Sequence, residues 1–308
     1  MSGAILIVVS YLLLAVFAVA FAVRSLKIAK MPVHLRWELA PVPHEKGKGE
    51  YGGSYLEEPE WWSKPREKDH AAEIMYMVKE ITFLKALFEH NRRLWWFSFP
   101  FHFGLYLLTG MVGLLVVGGI ARFAGLVGPD LGALGTVITA LGMAGYGLGA
   151  VGALGVLFSR LFDPKLRTIA TPLTFINLLV LLAFFVTGGL AVSALADFPT
   201  AMTGFLGALV SADLSAAFPG LLAAHVILAG VFLAYLPFTP MMHFVAKYFT
   251  YHQIRWDDEP LAPGSKMEKE IQELLKQPVS WAAPHLGADG KKNWVDIATS
   301  TGSEESGQ

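Results

Sequence analysis

The chain has 308 residues, 54% of them hydrophobic and only 16% charged, where an ordinary soluble domain is about a quarter charged. Its mean hydropathy of +0.49 places it in a membrane. The net charge of −1 excludes a nucleic-acid partner, because phosphate backbones are held by basic surfaces. The absence of cysteine excludes disulfides, iron–sulfur clusters ligated by this chain, thioether-linked haem and thiolate zinc.

A spanning helix needs about 20 apolar residues. Five stretches supply them, over residues 4–23, 97–120, 131–158, 169–195 and 219–245, the third being Gly-rich. The first ends near an Ala18-Val19-Ala20 triplet that could pass for a cleavage site. It lacks a basic segment ahead of the apolar run and is followed by Arg24, Lys27 and Lys30, which reads as a retained span.

Lysine and arginine set the orientation. The connection from span 1 to span 2 carries thirteen, the 3–4 connection has Arg160, Lys165 and Arg167, and the tail has seven. The 2–3 loop has Arg122 alone and the 4–5 loop has none. This predicts an outside N-terminus and a cytoplasmic C-terminus. The fold class expected is an all-α integral membrane protein, a five-transmembrane-helix bundle with a long cytoplasmic loop and a cytoplasmic C-terminal tail.

In the long loop, Ile74, Met77, Ile81, Leu84 and Phe88 recur at helical spacing, and Glu89 and Arg93 stand at i,i+4. They predict one amphipathic helix, on the membrane surface or against another protein. In the tail, residues 267–276 read as a short helix and 299–308 as disordered. Trp281, His285 and Trp294 stand out as large groups on a polar background, suited to a partner surface or to folding back on the loop.

Nine histidines are present. His34, His44, His70, His90, His252 and His285 fall in cytoplasmic segments, where a solvated surface role is the default. His102, His225 and His243 fall within spans, where an ionisable group is costly and a functional reading is the default. His225 and His243 are eighteen residues apart, five turns of a continuous helix, so both would face one way with roughly 27 Å between them. His102 opens span 2 and His243 closes span 5, at matching depth near the cytoplasmic face. Imidazoles from two helices can clamp a haem iron from both axial sides.

His225 has no histidine opposite it. Val112 stands ten residues after His102, with Met111 beside it. A His225/Met111 haem, a five-coordinate haem and no second haem all remain open. Gly104, Gly110 and Gly113 offer room for a flat macrocycle or serve helix packing. Arg167 suits a haem propionate or a positive-inside anchor. The chain then divides into a first transmembrane helix (1–23), a cytoplasmic loop with an amphipathic helix (24–96), a four-helix haem-binding membrane domain (97–246) and a cytoplasmic tail (247–308).

These residues resemble the gamma subunit (cytochrome b) of membrane-bound respiratory nitrate reductase. The run from His225 to His243, with Pro237-Phe238 inside it, is similar to the family's second ligand pair. Leu161-Phe-Asp-Pro-Lys-Leu-Arg167 is similar to its 3–4 connection, and Phe101-His102-Phe103-Gly104 to its first ligand on span 2. The resemblance covers roughly residues 95–250. It implies haem b, one or two groups, held by His102, His243 and His225 as iron ligands. It also implies menaquinone as the exchanged substrate and a cytoplasmic iron–sulfur partner. Val112 replaces the family's second span-2 histidine, which touches the outer haem and the quinone site beside it. The loop run from His34 to His44 and Tyr51-Gly-Gly-Ser-Tyr55 resemble a branch with heterodisulfide-reductase-like iron–sulfur subunits, in respiratory complexes of anaerobes. The rival reading is a haem-free membrane anchor for a cytoplasmic redox enzyme. A transporter is disfavoured, since spans 2 to 5 hold almost no internal carboxylate and show no repeat.

Overall fold

The computed structural model describes residues 3–31, 43–48, 58–60, 63–65, 67–128, 131–250 and 263–300. These form two compact units, one of Met1–Arg24 with Ile74–Met242, the other of Ser25–Glu73 with His243–Gln308. The runs 34–42 and 51–55, which carry the branch resemblance, lie outside the described residues, as do 301–308 and His252.

In chain order the first unit draws on α1 (Gly3–Ala29), α2 (His70–Phe83), α3 (Lys85–His90), α4 (Arg92–Phe123), α5 (Ala133–Phe162), α6 (Pro164–Thr168), α7 (Pro172–Ala194), α8 (Phe198–Ser211) and α9 (Gly220–Tyr235). Five helices among the described residues are long and apolar enough to cross a membrane: α1, α4, α5, α7, and α9 extended to Phe238. They are the five stretches that hydropathy predicts. The fold is an all-α membrane bundle and the protein is multi-pass.

Small residues decide how closely the spans approach. α4 packs along α5, α5 along α7, and α7 along α9. On α4 the buried residues Gly104, Leu108, Met111, Leu115 and Gly118 form one helical stripe, with buried Ser98 off it. Facing it, α5 buries Gly142, Gly145, Gly149, Gly152 and Gly155. A Cβ on Gly104 would sit 2.6 Å from the Gly145 carbonyl oxygen. Gly104 is therefore a helix-contact residue, whereas a Cβ on Gly110 or Gly113 would meet nothing within 4 Å. Among the described residues, α9 does not pack along α4. α8 lies against α4 and α5. The Tyr11 hydroxyl of α1 donates to the Leu209 carbonyl on α8.

Two expectations fail at a break in a helix. The stretch 219–245 is not one helix. After Tyr235 come 3-10 turns at Leu236–Phe238 and Pro240–Met242, and a new helix begins at His243. Pro237 and Pro240 have no N–H for the ladder and their rings crowd the preceding turn. The five-turn phase between His225 and His243 is therefore lost.

The amphipathic stripe is also split. Leu84 adopts a left-handed conformation (φ 52°, ψ 49°) and separates α2 from α3. Buried Glu80 caps the break by accepting the Ala86 N–H at 2.8 Å. Asn91 then ends α3 and caps α4 by accepting the Leu94 N–H. Glu89 and Arg93 consequently stand on different helices, and Glu89 pairs with Lys85 at 2.8 Å instead. The end of α2 is tied to α4: Trp95 donates to the Phe83 carbonyl and Tyr106 to the Ile81 carbonyl.

The second unit holds α10 (His243–Thr250), α11 (Lys266–Leu275), a two-residue hairpin of β1 (Ala282–Ala283) with β2 (Ala288–Asp289), and α12 (Trp294–Thr299). Trp281 and Trp294 meet edge to face, with centroids 5.6 Å apart. Thr299 ends a helix rather than opening a disordered tail. His44, expected at the surface, is 4% exposed.

Candidate functional site

His102 stands ten residues into α4, on the side opposite the Gly104–Gly118 stripe that meets α5. At 100° per residue, Trp95, Tyr106, Thr109 and Gly113 share that side. Its Nδ1 lies 2.7 Å from the Ser98 carbonyl one turn back. A carbonyl only accepts, so Nδ1 carries the ring proton and Nε2 carries the lone pair. That is the tautomer a metal-binding imidazole uses when a backbone oxygen fixes its other nitrogen. Ser98 is buried, and His102 is half-buried beside Phe101, whose ring stands edge-on at 5.0 Å. The residues present at His102 fit a haem ligand.

His243 is exposed and opens α10 in the second unit. Arg167 sits on the one-turn helix α6, exposed, beyond Asp163, which caps that helix through the Lys165 N–H at 2.9 Å.

The third span histidine is in another setting. His225 is 3% exposed on α9. Its Nε2 lies 2.8 Å from the Tyr146 hydroxyl on α5, and its Nδ1 lies 3.2 Å from the Thr187 hydroxyl on α7. Its ring stacks on Phe184 at 5.4 Å. Tyr146 is 3% exposed, its ring seated against Gly188, where a Cβ would come within 2.1 Å of a ring carbon. Met111 is buried too, but its sulfur lies against Gly142, beside Val192. What the structure brings to the two ring nitrogens of His225 is Tyr146 and Thr187. Neither partner is singled out by spacing. The available signal is Tyr146 itself, a hydroxyl-bearing aromatic in the glycine run from Gly142 to Gly149, where a phenol needs a partner once buried.

Fold and site together define a multi-pass helical membrane protein with two histidines, His102 and His225, set inside its spans. The family description "Nitrate reductase gamma subunit" matches residues 82–257, more than half the chain, and takes in α3 to α10. This chain belongs to the nitrate reductase gamma subunit family, whose members are membrane b-type cytochrome subunits that transfer electrons. No curated protein matches the sequence.

Proposed function

We propose that this chain is the b-haem subunit of an anaerobic respiratory complex, passing electrons between menaquinone in the bilayer and a cytoplasmic iron–sulfur partner of heterodisulfide-reductase-like type. The observation that carries it is the His102 tautomer inside a span of a family of membrane cytochromes. Ser98 holds Nδ1–H, and Nε2 is presented as the donor to iron. His243 keeps its role from the family motif, since the broken helix removes the argument from phase. When bound, haem b supplies a one-electron centre between a two-electron quinone and a cluster.

The chain's own residues supply the rest. Apolar spans exclude water from the ligand, and the Ser98 carbonyl fixes the ring and raises its basicity. The cytoplasmic excess of Arg and Lys favours the docking side and offers Arg167 to a propionate. Quinone exchange two electrons at a time also demands two protons, and these enter or leave at the membrane face on which the quinone is held.

The test is a pyridine haemochrome assay on the detergent-purified full chain, with His102→Ala and His243→Ala alongside. The expected result is b-type haem in the wild type and its loss in both variants. Wild-type protein that is folded, monodisperse and haem-free would overturn the proposal and favour the haem-free anchor.

A further inference from the structure

We infer that Tyr146 occupies the iron-binding position of His225, so that this chain carries a single haem, on the His102 side, and no iron at His225. The inference rests on the haem reading of His102 given above. It starts from Thr187, whose hydroxyl donates to the Ala183 carbonyl at 2.8 Å. Having spent its one proton there, that oxygen can only accept from His225 Nδ1 at 3.2 Å. The proton of His225 is therefore on Nδ1, its lone pair is on Nε2, and Tyr146 donates to that lone pair at 2.8 Å. An iron needs the same lone pair. One neutral imidazole cannot serve both.

Tyr146 has little freedom to yield. Its ring lies in the notch left by the missing side chain at Gly188, and Gly189 is 3.6 Å away by the same measure. Phe184 stands edge-on to it at 5.7 Å and continues the stack under His225. Turning the phenol away would leave its hydroxyl without a partner in an apolar core. The contacts of the candidate second ligand lie elsewhere. Met111 is the sulfur nearest to where Val112 replaces histidine, and it is spent in packing against Gly142. His225 is then a structural residue that ties α5, α7 and α9 through one imidazole.

The experiment is the haem-to-protein ratio of the purified full chain, with His225→Gln, Tyr146→Phe and His102→Ala, alongside ferric low-temperature EPR of the wild type. The expected result is one haem per chain in the wild type and in both His225→Gln and Tyr146→Phe, lost only in His102→Ala. A wild-type ratio near two haems, or a second haem signal in EPR, overturns the inference while leaving the cytochrome proposal standing. A haem that survives His102→Ala but disappears in a folded His225→Gln protein also overturns it. Absence of haem from all four proteins brings down the cytochrome proposal and this inference with it. If His225→Gln does not fold, the wild-type ratio and EPR decide alone.

Discussion

Replacing Gly152 by alanine tests how tightly α4 is held to α5 at the level of His102. The ideal Cβ of such an alanine lies 2.4 Å from the Phe101 nitrogen and 2.6 Å from its Cα. Ordinary van der Waals contact begins near 3.4 Å, so the two backbones must part by about 1 Å or the helices must roll. The obstacle is main chain, which cannot swing aside as a side chain does. Overpacking of this kind costs about 1–3 kcal/mol. Alanine's better helix propensity returns about 1 kcal/mol, and the net loss expected is about 0–2 kcal/mol. Gly110→Ala is the control, because its Cβ would meet nothing within 4 Å and only the propensity gain should register. The assay is reversible unfolding of the detergent-solubilised protein in an SDS titration, followed by circular dichroism, with haem absorbance read in parallel. Gly152→Ala should unfold at lower SDS than wild type and broaden the haem band, and Gly110→Ala should do neither. Equal midpoints for the two variants would refute the reasoning.

Tyr146→Phe leaves the His225 Nε2 lone pair buried without its donor, a loss of about 1–3 kcal/mol, read by the same titration; an unchanged midpoint would deny the bond any structural weight. Ala212 ends α8 in a left-handed conformation at φ 54° and is exposed. Ala212→Gly should therefore raise stability by about 1 kcal/mol, seen as a higher thermal midpoint. In the second unit, hydrogen bonds from Lys48 and then Lys64 hold the Glu58 carboxyl down at about 2. Its folded value lies below the unfolded one, so its contribution is fully present above pH 4.5 and disappears as pH falls toward 2. Carboxyl-labelled NMR should find Glu58 still ionised at pH 3.5, and Lys48→Ala with Lys64→Ala should return it to an ordinary glutamate titration.

The five spans were legible because length and apolarity alone determine them. What sequence periodicity could not deliver was phase across a break. Between His225 and His243 the count of turns assumed an unbroken ladder, and Pro237 and Pro240 interrupt it with 3-10 turns. The Ile74–Phe88 stripe failed for a different reason. Leu84 bears no mark of a helix breaker, and the left-handed turn is capped by the Glu80 carboxylate, four residues back, on the Ala86 N–H. The glycines of α4 look alike in sequence but divide in the structure, Gly104 against α5 and Gly110 and Gly113 in the open. His102 was found as an intramembrane histidine, whereas the phenol and hydroxyl around His225 come from helices 79 and 38 residues away in the chain. No local pattern reports such a meeting.

The packing of α4 on α5, α5 on α7 and α7 on α9 has a consequence for biogenesis. α5, α7 and α9, as each leaves the insertion machinery, find their main neighbour in the span delivered just before, so these four spans assemble without a search over long stretches of chain. The pair that this zipper does not join is α4 and α9, its first and last members. The side of α4 that bears His102 stands outside this zipper and is tied instead to the end of α2 through Trp95 and Tyr106. The four spans can therefore zip up whether or not anything is bound on that side, so a group held there is not the nucleus on which the scaffold must form.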